Sequence, residues 1–310
     1  MKIAIFGSGS VGGYFGGRLA QAGEQVIFIA RSEHLRAIQD HGLRVDSPKG
    51  DFVIHPAVAA QEPAQVGEVD VILLGVKAWQ VPEAAKQLRS ILGSDTFVVP
   101  LQNGVDAPAQ LAEALGAEHV LGGLCRIAAM MVSPGHIRHT GIEPTIAFGE
   151  LDNHASQRCE RLRQAFEKAG VRCEIPSDIH IAMWEKFMFI AAISGIGAVT
   201  RQPIGAFRSI PQTRRMLVEA LTETFNVAQA RGVRLPDDLV DKTLADIDHL
   251  PAEATASMQR DIMAGRPSEL HAQNGAVVRL GAEAGVPTPV HSFLFASLLP
   301  QEQLARGELD

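Results

Sequence analysis

Residue types and spacings that can do chemistry cluster at two kinds of place, a glycine-rich hexamer near the N-terminus and the ends of several apolar runs. Gly7-Ser8-Gly9-Ser10-Val11-Gly12 has the spacing G-x-G-x-x-G. It follows the β-type run Lys2–Phe6 and opens an amphipathic helix from about Val11 to Gly23, and a second strand, Gln25–Ala30, comes soon after. Strand, hexamer and helix in that order form the context in which this pattern binds a dinucleotide. Gly7 permits the tight turn, Gly9 lets the backbone approach a pyrophosphate, and Gly12 lets helix and strand pack closely. The helix N-terminus turns unpaired N–H groups toward the phosphates. The alternative, a structural turn with no ligand, does not require this placement.

The end of the second strand reads Ile29-Ala30-Arg31-Ser32. A site for NAD usually has a carboxylate there for the ribose hydroxyls. A carboxylate would repel a 2′-phosphate, whereas a guanidinium can clamp one in a fork. Arg31 therefore points to NADP(H), against the alternative of a solvated arginine at a helix start.

Lys77 closes the run Val71–Val76, and Asn103 follows the run Thr96–Leu101. Ligands of open α/β sheets lie at such strand ends; a surface lysine and an Asn-Gly turn are the competing readings. Lys186 stands in Met183-Trp184-Glu185-Lys186-Phe187-Met188-Phe189-Ile190, at the opening of a strongly apolar helix, where it either snorkels outward or faces a cleft. Glu269 is expected to start another helix, where a first-turn carboxylate is also favoured by the helix dipole.

The elements that must position these groups fall into two styles. Strands alternate with helices up to Val171–Ile175, as in a parallel sheet with crossover helices. Pro134–Gly149 reads as a hairpin closing this part. Beyond Ser177, helical periodicity runs through Ile181–Ala198, Thr213–Arg231, Asp237–Asp248, Ala252–Ala264 and Glu269–Gly285, separated by proline and glycine. The expectation is an α/β doubly wound domain over residues 1–176 and an all-helical domain over 177–310, the latter for substrate and dimerisation.

The 310 residues are 46% hydrophobic and 20% charged with a formal net charge of −7, so bulk charge suggests neither a nucleic-acid nor an anionic-membrane partner. Cys125, Cys159 and Cys173 are an odd, widely spaced set, which fits a reducing, cytoplasmic setting better than a disulfide framework. Ile190–Val199 is apolar but interrupted by Gly195 and Gly197, short of the about 20 residues a membrane span needs. The 11 histidines show no metal-ligand spacing, and no metal is expected.

Taken in order, the glycine hexamer, Arg31, Val76-Lys77-Ala78-Trp79-Gln80-Val81, Gln102-Asn103-Gly104-Val105-Asp106, Trp184-Glu185-Lys186-Phe187 and the stretch Thr255–Leu270 resemble the ketopantoate reductase (2-dehydropantoate 2-reductase) family. The similarity runs from Met1 to about Pro289. It implies a Rossmann-type sheet domain followed by a helical domain, NADPH as reductant, a small 2-oxo acid or ketone as substrate, and often a homodimer. It implies roles as well: Lys186 as proton donor, Glu269 beside substrate and nicotinamide ribose, Lys77 and Asn103 near the cofactor, Ala128 approaching it through its backbone, and Ser257 at the substrate carboxylate. Hydride delivery to a ketone builds charge on oxygen, which a nearby ammonium stabilises and then protonates. Burial lowers the pKa of such a lysine and a neighbouring carboxylate raises it.

The sequence also departs from the family. Ile190, Ser194, Ile204 and Ala254 stand where members carry asparagines that contact the substrate; of these only Ser194 retains a polar side chain. This implies a more apolar pocket and a substrate bulkier or less polar than ketopantoate. Asn226 and Asn274 lie elsewhere in the helical half as alternative partners. Two further readings stay open: a polyol-phosphate or hydroxy-acid dehydrogenase using Arg201, Arg208 or Arg266, and a non-catalytic NADP sensor, which the retained Lys186 and Glu269 argue against.

Overall fold

The computed structural model describes residues 1–309 and divides into two compact units, residues 1–102 with 107–179, and residues 103–106 with 180 onward.

The first unit runs β1 (Lys2–Phe6), α1 (Ser10–Gln21), β2 (Gln25–Ile29), α2 (Ser32–His41), β3 (Leu43–Asp46), β4 (Phe52–Ile54), β5 (Val58–Ala60), β6 (Val69–Leu74), α3 (Val81–Leu88), β7 (Leu92–Pro100), α4 (Ala107–Leu115), β8 (Leu121–Arg126), β9 (Ala129–Ser133), β10 (His136–His139), β11 (Thr145–Glu150), α5 (Gln157–Lys168) and β12 (Arg172–Glu174). β5-β2-β1-β6-β7 form a parallel sheet, with Ile3 beside both Val26 and Val71. Both faces are covered, which is why its strands read as apolar runs: Ile3, Ile5 and Phe28 pack in one core, Ala4, Ile72 and Val98 in another. From β1 the chain winds one way to β2 and the other way to β6. The switch point therefore falls at the carboxyl end of β1, where such sheets bind ligands.

Two smaller sheets, β4-β3-β10-β9 and β12-β11-β8, complete this unit. The expected hairpin is β9–β10, antiparallel, and it begins at Ala129 rather than Pro134; β11 pairs instead with β8 and β12.

The second unit is helical: α6 (Ile179–Thr200), α7 (Ile204–Ser209), α8 (Pro211–Ala230), α9 (Leu239–His249), α10 (Ser257–Met263), α11 (Asn274–Ala284) and α12 (Pro289–Arg306). α6 is apolar on every side because it is the core helix, with Phe187, Met188, Ala191, Ala192 and Ile196 buried against its neighbours. At 22 residues it is longer than the apolar run suggested, long and apolar enough to cross a membrane by composition, yet 72% of its most apolar stretch is buried within the protein.

Two expected helices are shorter than their periodicity. Residues 252–256 precede α10 without joining it, because the carbonyls of Ala252 and Ala254 serve α7. Ile204 N–H donates to Ala254 O at 3.0 Å and Gly205 N–H to Ala252 O at 2.8 Å. A Cβ at Gly205 would lie 2.6 Å from that of Ala252, so only glycine admits the contact. Likewise Glu269 does not start a helix. Residues 269–273 form a turn, closed by Ala272 and Gln273 N–H groups on Glu269 O, and α11 begins at Asn274.

Candidate active site

In the first unit the hexamer joins β1 to α1 at the switch point. Gly7 has φ +91, and a Cβ there would meet the backbone N of Val76 at 2.7 Å. A Cβ at Gly12 would meet Gly7 O at 2.4 Å. Both glycines are thus required by the protein's own packing. Gly9 is different: its φ of −69 suits any residue, and a Cβ there would meet nothing within 4 Å. No side chain caps the helix that Gly9 begins. The loop therefore keeps open space over an uncapped helix N-terminus, the environment a pyrophosphate requires, and these residues fit a dinucleotide.

The loop is held firmly. Gly7 and Ser8 N–H both donate to Ile29 O at 3.3 Å, and Ser8 Oγ donates to Ile5 O and Ile29 O at 3.1 Å. His34 on α2 adds a brace that sequence reasoning missed. Its Nε2 lies 2.7 Å from Ser8 O, and its Nδ1 accepts Gly135 N–H at 2.9 Å, so the Nε2–H tautomer ties the loop to the β9–β10 turn. A lone histidine at this spacing has no sequence signal.

Arg31 is exposed and donates to the neutral Gln87 amide at 3.1 Å. The next residue, Ser32, has φ +52, a left-handed conformation that costs a non-glycine residue about 1–2 kcal/mol. Strain of this kind gathers at ligand clamps. Lys77 is half-buried three residues beyond β6, and its N–H donates to Gln80 Oε1 at 3.1 Å. Gln102, also unanticipated, donates from Nε2 to Leu74 O and Val76 O at 2.8 and 3.0 Å, while its buried Oε1 accepts nothing. Ala128 lies between β8 and β9, and its carbonyl accepts Thr140 N–H at 2.8 Å.

In the helical unit Lys186 is in the third turn of α6, not at its opening, and is 9% exposed. Glu269 is 5% exposed, and its Oε2 accepts from Asn103 Nδ2 at 3.0 Å. This places the Asn103–Asp106 segment with the helices. Gln273, unexposed, also donates to Glu269 Oε2 at 3.5 Å, and its own Oε1 is buried without a partner. Asn103 and Glu269, far apart in sequence, are thus brought together, with Gln273 as a third member.

The positions where the family pattern breaks are located as follows. Ile190 is half-buried one helical turn past Lys186. Ser194, one turn further, is fully buried with Oγ unpartnered. Ile204 and Ala254 are the pair joined by the backbone hydrogen bond described above, and Ser257 is the half-buried first residue of α10. Of the two alternative asparagines, Asn226 is exposed on α8, whereas Asn274 reaches α6, donating to Ala191 O at 3.1 Å. It also lies 3.0 Å from His291 Nδ1. His291 is completely buried, hydrogen-bonded at Nε2 to Ala220 O, and burial pushes its pKa down to about 4, so it is a neutral core group. Among the described residues no group of three His, Cys, Asp or Glu side chains is placed to hold a metal.

The ketopantoate reductase PanE/ApbA family matches residues 3–153, and its C-terminal counterpart matches residues 178–302. The uncharacterized oxidoreductase YkpB of Bacillus subtilis is 28% identical over 300 residues, covering 96% of this chain and 98% of that protein. A 2-dehydropantoate 2-reductase of Mesorhizobium japonicum is 31% identical over 310 residues, covering 93% and 94%. The crystal structure of a PanE/ApbA family ketopantoate reductase from Ralstonia eutropha superposes with a TM-score of 0.91 at 31% identity, covering 99% of this chain and 100% of that one. The parallel sheet, the helical second unit and these matches lead to one conclusion: the chain belongs to the ketopantoate reductase family, oxidoreductases that act on CH–OH donors.

Proposed function

We propose that this protein uses NADPH to reduce a 2-oxo acid or related ketone to the hydroxy compound, with 2-dehydropantoate to pantoate the best-fitting reaction. The observation that carries the reading is a lysine, Lys186, almost wholly buried in an apolar helix, within the same compact unit as a buried carboxyl group, Glu269, that Asn103 holds. When bound, the dihydronicotinamide supplies a hydride to the substrate's carbonyl carbon. As charge builds on the carbonyl oxygen, the Lys186 ammonium stabilises it, the more so away from water, and passes an Nζ proton to it. General acid help of this kind contributes about 10²–10⁴-fold in rate. Glu269, its carboxylate fixed by Asn103, orients substrate and ribose hydroxyls, and Ser257 meets the substrate carboxylate. In the first unit, Gly7–Gly12 offers N–H groups to the pyrophosphate, Lys77 and Ala128 border the cofactor, and Arg31 clamps the 2′-phosphate.

A second reading, a 2-oxo acid with an apolar side chain, is favoured by one observation. The accessible residue one turn beyond Lys186 on α6 is Ile190, and the next polar side chain on that helix, Ser194, is sealed in the core. A substrate hydroxyl laid against Ile190 would lose its hydrogen bonds at a cost of about 1–3 kcal/mol.

NADPH consumption measured across 2-oxo acids, with and without a hydroxyl on the side chain, tests both. Turnover of 2-dehydropantoate at the highest kcat/KM supports the first reading. A clear preference for the apolar acids supports the second, and no turnover of any 2-oxo acid refutes both.

A further inference from the structure

The turn that carries Glu269 is gripped from the far end of the chain. Glu302 on α12 is 1% exposed. Both its carboxylate oxygens accept the Ser268 N–H, at 3.0 and 3.1 Å, and Oε2 also accepts the Ser268 hydroxyl at 2.5 Å. Arg306, one turn later, donates from Nε to Glu302 Oε1 at 2.7 Å and from Nη2 to Ser268 O at 2.9 Å, closing a ring. Ser268 Oγ in turn accepts Leu270 N–H at 3.2 Å. Every polar atom of Ser268 is therefore tied down, and Glu269 sits between two fixed neighbours, with its own carbonyl taken by Ala272 and Gln273.

We infer that Glu302 is a positioning residue for Glu269, acting through Ser268 and completed by Arg306. This rests on the reading that Glu269 belongs to the reactive centre. A buried ion pair is a poor source of net stability, because desolvation offsets its attraction. What the ring does supply is direction. Asn103 and Gln273 hold the carboxylate of Glu269 from one end, while Glu302 fixes its backbone from the other, so the side chain keeps one orientation relative to the substrate. A carboxylate is needed at 302 because the Ser268 N–H, the Ser268 hydroxyl and Arg306 all point donors at it. A glutamine of the same size offers one acceptor oxygen and two N–H donors.

The test uses Glu302→Gln and, as the milder variant, Ser268→Ala, which removes the two hydroxyl hydrogen bonds, to Glu302 and from Leu270 N–H, and keeps the backbone ones. Measured well below each variant's Tm, Glu302→Gln should lower kcat about 10- to 100-fold, as expected for a reacting group displaced by a fraction of an ångström to an ångström. Ser268→Ala should show a smaller loss in the same direction, NADPH Kd should stay within about twofold, and the pH profile of kcat should shift. Wild-type kcat and pH profile with only a lowered Tm would make the ring purely structural and overturn the inference. A readout independent of turnover separates this from failure of the proposed reaction. In protein carrying 13C-labelled glutamate carboxyls, the Glu269 signal, identified by its loss in Glu269→Gln, should change in chemical shift in Glu302→Gln. An unmoved signal overturns the inference even if no 2-oxo acid is turned over.

Discussion

A single methyl group at Gly9 should separate cofactor binding from folding. Its φ of −69 is one that alanine adopts freely, and no protein atom lies within 4 Å of the added Cβ. Gly9 is the N-cap of α1, where alanine is less favoured than glycine, and this offsets the gain from a stiffer unfolded chain, so Gly9→Ala should fold normally and change the unliganded Tm by no more than about 3 °C. The same methyl group stands in the open space over the first turn of α1, where a pyrophosphate would reach the backbone. Losing one hydrogen bond to a charged oxygen costs about 1.5–3 kcal/mol, or roughly 10- to 150-fold in affinity. Gly12→Ala is the contrasting control: its Cβ would lie 2.4 Å from Gly7 O, so it should lower Tm as well as affinity. Thermal unfolding without ligand and fluorescence titration with NADPH read the two effects separately. Wild-type NADPH affinity in folded Gly9→Ala would refute the assignment of this loop to the phosphates.

If Arg31 clamps the 2′-phosphate as proposed, replacing it by alanine should weaken NADPH by about 10- to 100-fold and leave NADH nearly unchanged; equal losses in paired titrations would contradict the clamp. His291 should make the protein acid-sensitive: its pKa is about 4 when folded and about 6.5 when unfolded, so nothing is lost above pH 6.5 and up to about 3 kcal/mol disappears as pH falls from 6.5 to 4. Urea unfolding of wild type and His291→Gln across that range checks this, and equal pH slopes would sink the account. Gly195→Ala should cost about 1–3 kcal/mol, because its Cβ would lie 2.5 Å from the Asn274 amide; an unchanged urea midpoint would show that the contact gives way.

The parallel sheet, the helical second half and the hexamer were legible because long apolar runs, helical periodicity and glycine spacing are local signals. β3, β4 and β5 were not: each is only three or four residues, too short to show a period, and β3 and β5 are held by pairing with the distant β10 and β2. α12 was missed because Pro289 and Pro300 bracket its apolar stretch, although Pro289 sits in the first turn, where its missing N–H is harmless. The late helices were overextended because periodicity cannot reveal that Ala252 and Ala254 spend their carbonyls on α7, or that residues 269–273 close as a turn on the Glu269 carbonyl. At the site, Lys186 and Glu269 were legible as residue types, and Asn103 as a strand-end residue. That Asn103 and Gln273 bond Glu269, that His34 braces the glycine loop and that Gln102 ties down the end of β6 depend on tertiary placement.

The most direct measurement of the central claim compares wild type with Lys186→Ala for NADPH consumption with 2-dehydropantoate and for NADPH binding. The account predicts turnover by the wild type and a loss of about 10²–10⁴-fold in kcat in the variant, with NADPH affinity kept. A variant that reduces the substrate at the wild-type rate, or a wild type that binds NADPH and reduces no 2-oxo acid, would contradict it.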